Sequence, residues 1–177
     1  CRYADSKSGD VFILTKLLGV GVYSAAIKKD LLPQGGYIDM IATTTLLNIY
    51  NTDDAELDVV VTGYQWKWKY EYLSENGENV SFFSNLRTPQ TEIYNTADKG
   101  EYYLLEVDEP LVLPVDTKVR FLVTGNDVIH SWWVPALAVK RDAIPGFINE
   151  VSTKATEVGV YRGQCAELCG KDHGFMP

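Results

Sequence analysis

The chain is sparing with metal-binding and redox-active side chains: 177 residues hold two His, three Cys and two Met. An odd cysteine count with one close pair argues against a structural disulfide framework. Basic residues are also in deficit, 16 against 24 acidic ones, for a formal net charge of -8. That balance argues against nucleic acid as a partner and suits a basic protein partner. Repeats and low-complexity tracts are missing. So is a long uncharged hydrophobic run. The most apolar stretch, residues 11–27, has 17 residues and is broken by Lys16, whereas a spanning helix wants about 20 with few charges. A buried or interfacial helix is the better reading there, with a marginal membrane segment as the alternative. Cys1 stands alone with no initiator Met before it, and is expected to mark where a fragment begins; a lipid-bearing terminus is the other reading.

What is present points to a folded domain. The chain is 46% hydrophobic and 23% charged, which is globular rather than disordered. Residues 1–40 form an unassigned, partly helical N-terminal segment. Residues 41–56 read as a helix remnant and linker, ending in the polar, acidic run Asn51 to Glu56. From Leu57 the pattern turns to strands. Asp58 to Thr62 is β-branched, and Gly63 is read as its breaker. Tyr64 to Tyr72 alternates, so that Tyr64, Trp66, Trp68, Tyr70 and Tyr72 would share one face of a single strand. Further strands are expected at Val80 to Phe83, Tyr102 to Val107, Leu111 to Leu113, Lys118 to Thr124, Val128 to Val134, Glu150 to Thr153 and Glu157 to Arg162. Residues 84–101 and the segment between Pro135 and Pro145 read as loops. Many short strands with regular turn signals predict an all-β sandwich or barrel over 57–177.

The scarce soft donors converge at the end of the chain. Cys165, Cys169, His173 and Met176 fall in the order C-x3-C-x3-H-x2-M. Thiolate, thioether and imidazole together favour copper. Two thiolates with three residues between them can each bridge two metal ions, with His173 on one ion, Met176 as a weak thioether, and His130, the only other histidine, on the second. Three rivals stay open: a closed Cys2His2 zinc site, a mononuclear blue-copper site that leaves one cysteine over, and a bland disulfide with a surface His and a core Met.

The run CAELCGKDHGFMP, with DVIHSWWVPALAVKRDAIPGF and VTGYQWKWKYEY, strongly resembles the CuA domain of cytochrome c oxidase subunit II of bacterial type. The resemblance covers about residues 57–177. It implies a cupredoxin-like Greek-key sandwich holding two copper ions, and an electron-entry subunit of a terminal haem-copper oxidase. Such a subunit accepts electrons from cytochrome c and passes them to haem in subunit I. Position by position, Cys165 and Cys169 match the bridging thiolates, His130 and His173 the imidazoles, and Met176 the thioether. Glu167 matches a weak backbone-carbonyl ligand whose side chain reaches magnesium shared with subunit I. Trp66 matches the surface tryptophan at which the electron enters. Trp68 reads as support or core. Asp127 matches a position near the docking surface, with a plain turn residue as its alternative. Acidic groups at Asp53, Asp54, Glu56, Asp58, Glu106, Asp108 and Glu109 are candidates for steering a basic cytochrome c.

The pattern departs from the family at both ends. Residues 1–40 match no two-helix membrane hairpin, although the family's membrane attachment runs through one. The resemblance implies a final strand beyond the position of Pro177, which this sequence is expected to lack, and such a loss would expose a sheet edge beside the metal loop. The Ala-Glu-Leu between the cysteines and the AIPGFINE segment place the domain on the periplasmic side of a bacterial inner membrane. A free-standing copper carrier or electron-transfer protein is the alternative function, and a structural zinc domain a third.

Overall fold

The computed structural model describes residues 51–177; the expectations for residues 1–50 lie outside them. Eight strands run in the order β1 (Leu57–Tyr64), β2 (Lys67–Leu73), β3 (Val80–Ser84), β4 (Lys118–Gly125), β5 (His130–Val134), β6 (Val139–Ala143), β7 (Asn149–Lys154) and β8 (Gln164–Cys165). They make a five-stranded sheet, β3-β2-β1-β4-β7, and a three-stranded sheet, β6-β5-β8. All pairs are antiparallel except β1 with β4. The result is a cupredoxin-like β-sandwich. Among the described residues no helix is long and apolar enough to cross a membrane.

The core follows from alternation on the central strands. β1 turns Val59 and Val61 inward, β4 turns Val119, Phe121 and Val123 inward, and all five are fully or almost fully buried. Facing them, the smaller sheet supplies Trp132, Val134, Val139 and Ala143. Phe121 and Trp132 meet across the gap with ring centroids 4.6 Å apart. Trp132 also donates its indole N–H to the buried Tyr70 hydroxyl at 3.2 Å, so the aromatic that joins the sheets leaves no orphaned donor.

The nine-residue aromatic strand is in fact the junction of a hairpin. Tyr64 pairs with Lys67, leaving Gln65 and Trp66 as the two-residue loop, and Gly63 pairs with Trp68 inside the ladder. Paired residues share a face. Trp68 and Tyr70 therefore join Val59 and Val61 in the core, while Tyr64 turns to the other face and meets Phe83 at 5.4 Å. The two-residue loop moves the inward series from odd positions on β1 to even positions on β2, and the aromatic Tyr64 hides that change by continuing the even series on the other face. Gly63 accordingly continues β1 rather than breaking it.

Three other expected strands have no ladder. Tyr102 to Val107 is a run of turns, with Leu104 at φ 61 and one isolated bridge from Val107 to Leu86. Leu111 to Leu113 alternates as a strand does, but its backbone bonds to a side chain: Val112 N–H donates to the Tyr72 hydroxyl at 2.9 Å, and that hydroxyl donates to Val112 O at 2.8 Å. In Glu157 to Arg162 the Tyr161 hydroxyl donates back to Glu157 O. The expected 84–101 loop carries a one-turn helix at Gln90–Ile93. The expected loop after Pro135 contains β6, whose Lys140, Arg141 and Asp142 hide a strand with only its ends, Val139 and Ala143, buried.

Candidate metal centre

The fold gathers the soft donors at one end of the sandwich. His130 opens β5, reached through the turn that follows β4, and is 0% exposed. Cys165 lies on β8 at the edge of the smaller sheet, and its neighbour Ala166 donates its N–H to Ser131 O at 2.9 Å. The remaining donors follow on one loop. Cys165 N–H donates to Met176 O at 2.9 Å, which closes that loop on itself. Gly170 turns the chain at φ +125, a conformation that favours glycine.

The two sulfurs are 3.9 Å apart. Each has its own imidazole: His130 Nδ1 lies 4.0 Å from Cys165 Sγ, and His173 Nδ1 lies 3.5 Å from Cys169 Sγ. The donor atoms of His130, Cys165 and Cys169 all fall within 4.8 Å of one another, and His173 stands outside that trio. Met176 is buried. The backbone carbonyl of Glu167 is 3.3 Å from Cys165 Sγ, while the residue itself is exposed. Both thiols are free.

Electrostatics differ between the two thiols. Burial pushes Cys165 up, but hydrogen bonding to His130 and to the backbone outweighs it and brings the pKa down to about 7. Cys169 is pushed up to about 12, by burial and by the charge of Cys165. The pair therefore loses its protons in two steps, Cys165 first, and a soft cation would displace what remains. Burial lowers the basicity of His130, yet its bonds to Cys165 and Asp127 raise it above the ordinary value overall.

Three surrounding residues were not legible as parts of the site. Asp127 accepts from His130 Nε2 at 2.8 Å, beyond the turn or docking role read from sequence. Gln65 donates its side-chain amide to Cys169 O at 2.8 Å and its backbone N–H to Asp127 Oδ2 at 2.7 Å. Gly63 lies directly under the His130 ring. No local signal marks Gly63 or Gln65, whose contacts reach across 62 or more positions; Asp127 is only three residues from His130, and its role depends on the turn that folds it back.

Trp66 lies beside this network. A Cβ on Gly170 would stand 3.1 Å from its ring, and Lys171 Nζ is 5.9 Å from the ring centroid. The indole is half-buried with an enclosed N–H, not the freely exposed ring expected. Trp68 is 1% exposed and meets the His130 ring edge-on at 5.9 Å. The expected steering acids are mostly occupied elsewhere. Asp54 pairs with Lys118, Asp58 with Arg120, Glu106 with Arg162, and Asp108 with Asn85. Asp58 also sits five residues before Gly63 on β1, roughly 17 Å along a strand, so the cluster from Asp53 to Asp58 lies toward the other end of the sandwich.

The family model described as cytochrome c oxidase subunit II, periplasmic domain, matches residues 57–177. Cytochrome c oxidase subunit 2 of Cyanidium caldarium is 43% identical over 143 residues, covering 77% of this chain and 54% of that protein. The chain thus spans about half the length of the curated relatives it matches. The crystal structure of the periplasmic domain of cytochrome oxidase subunit II from Bradyrhizobium japonicum is 44% identical, with a TM-score of 0.60 over 71% of this chain and 83% of that one. A second crystal structure holds such a domain in a mixed disulfide with a thioredoxin-like protein; that domain is 42% identical, with a TM-score of 0.55 over 72% of this chain and 81% of that one.

Proposed function

Because the chain belongs to the cytochrome c oxidase subunit II family, we propose that it is the electron-entry subunit of a haem-copper oxidase, with a dicopper CuA centre. The observation that carries this is a thiol pair 3.9 Å apart with an imidazole nitrogen beside each sulfur. The donor set fits copper in type, being thiolate and imidazole with a buried thioether nearby. A closed tetrahedral zinc site would use four donors and leave the buried Met176 thioether idle.

In this reading Cys165, Cys169, His130 and His173 would hold the copper, with Met176 and the Glu167 carbonyl as weaker donors. Copper held there would supply the one-electron redox chemistry that electron entry from cytochrome c toward haem in subunit I requires. The chain's own residues do the rest. The two sheets exclude water from the ligands and hold their geometry. Asp127 keeps the hydrogen of His130 on Nε2, leaving Nδ1 free to bind. Trp66, packed on the loop between Cys169 and Lys171, offers a π system at the surface for electron entry. The exposed Glu167 side chain is available to magnesium at the subunit I contact. The domain faces the periplasm from a bacterial inner membrane.

Copper reconstitution of the purified chain tests this. A purple protein with two coppers, and an electron spin resonance pattern of one electron shared between them, is the expected result. A blue mononuclear spectrum, or a colourless protein that prefers one zinc, overturns it.

A further inference from the structure

Gly63 sits near the end of β1, paired on one side with Trp68 of β2 and on the other with Gly125 of β4. Its φ lies outside the left-handed region that favours glycine, so backbone conformation does not call for one. Space does. A Cβ there would stand 2.6 Å from His130 Cδ2, 2.8 Å from Cγ and 3.1 Å from Cβ. The first two contacts are shorter than non-bonded carbons tolerate. The ring has little room to yield. Trp68 meets it edge-on at 5.9 Å, Asp127 holds Nε2 at 2.8 Å, and the residue has no exposure. Gly63 O also accepts from Asn126 N–H at 2.9 Å, which ties the same strand position to the turn that carries Asp127.

We propose that Gly63 is a positioning residue for the metal centre: its missing side chain is the space in which the His130 imidazole lies, and it sets where Nδ1 points. The role in metal binding rests on the dicopper reading; the contact between Gly63 and His130 does not. A methyl group at position 63 would displace the ring, because a β-strand backbone pinned on both sides moves less readily than an imidazole held by one carboxylate.

The test compares wild type, Gly63→Ala, His130→Ala and the double variant as full chains. In the metal-free state Gly63→Ala is expected to lower the melting temperature by roughly 5–10 °C in the wild-type background, and by much less when His130 is already Ala. That non-additivity isolates the pair. An equal drop in both backgrounds means that Gly63 serves the strand alone and overturns the proposal. If Gly63→Ala fails to fold, the double variant decides: folding like His130→Ala supports the proposal, and failing to fold overturns it. With copper, Gly63→Ala is expected to lower affinity by about 10–100-fold and to alter the electron spin resonance hyperfine pattern. An unchanged pattern and affinity overturn the positioning role. Failure of wild type to bind two coppers removes the dicopper reading and leaves the metal-free coupling to stand by itself.

Discussion

The Asp127 carboxylate and the His130 imidazole meet at 2.8 Å through Oδ1 and Nε2. A carboxylate whose pKa is held below its usual value accepts hydrogen bonds and does not donate them. Burial would raise its pKa, but the bonds from His130 and from the Gln65 and Val128 backbones lower it overall. An imidazole hydrogen therefore resides on Nε2, and Nδ1 is the ring nitrogen that faces the Cys165 sulfur.

Asp127→Asn breaks that arrangement without changing size. Oδ1 meets Val128 N–H and His130 Nε2, and Oδ2 meets Gln65 N–H, so an amide must turn its NH2 toward at least one donor. Copper affinity is expected to fall by about 10–100-fold, measured by competition with a chelator. Unchanged affinity would remove Asp127 from the site.

Met176→Leu separates packing from ligation. Leu has nearly the same volume, so the buried position should lose less than about 1.5 kcal/mol of stability. Loss of the thioether donor favours the reduced state and should raise the reduction potential. Potentiometry of the copper-loaded protein is the check, and a potential equal to wild type would assign Met176 to the core alone.

Trp66→Phe addresses electron entry. Stopped-flow oxidation of reduced cytochrome c should slow markedly, while the optical and electron spin resonance spectra of the centre stay as in wild type. Equal rates would take the entry role from Trp66. A changed spectrum would instead mean that the indole holds the Gly170 turn in place.

Tyr70→Phe tests the polar contact inside the core. Burial pushes the Tyr70 hydroxyl up to about 12, so it stays neutral at working pH and accepts from Trp132. Removing the hydroxyl leaves a buried indole N–H without a partner, at a cost of about 1–3 kcal/mol. Urea unfolding should show a lower midpoint with an unchanged slope. An unchanged midpoint would mean that the indole finds another acceptor.

The sequence by itself determined the donor inventory and the fold class. With two histidines and a single close cysteine pair, few ligand sets were available, and alternation of β-branched and aromatic residues marked β1, β4 and β7 through local chemistry. It did not determine where the chain folds back. The hairpin at Gln65 and Trp66 moves the inward series from odd to even positions, but the aromatic Tyr64 masks the change, and Val112 bonds to a tyrosine side chain where a strand would have needed a neighbour. Only the tertiary structure decided how the donors are set. Gly63 acts on His130, and Gln65 on Asp127 and Cys169, across gaps of 62 to 104 positions in the chain. A contact that exists only when β1 lies against β5 leaves no periodic or compositional trace. The same limit applied to the acids from Asp53 to Asp58: their charge was plain in the sequence, but their distance from the site follows from the direction in which β1 runs.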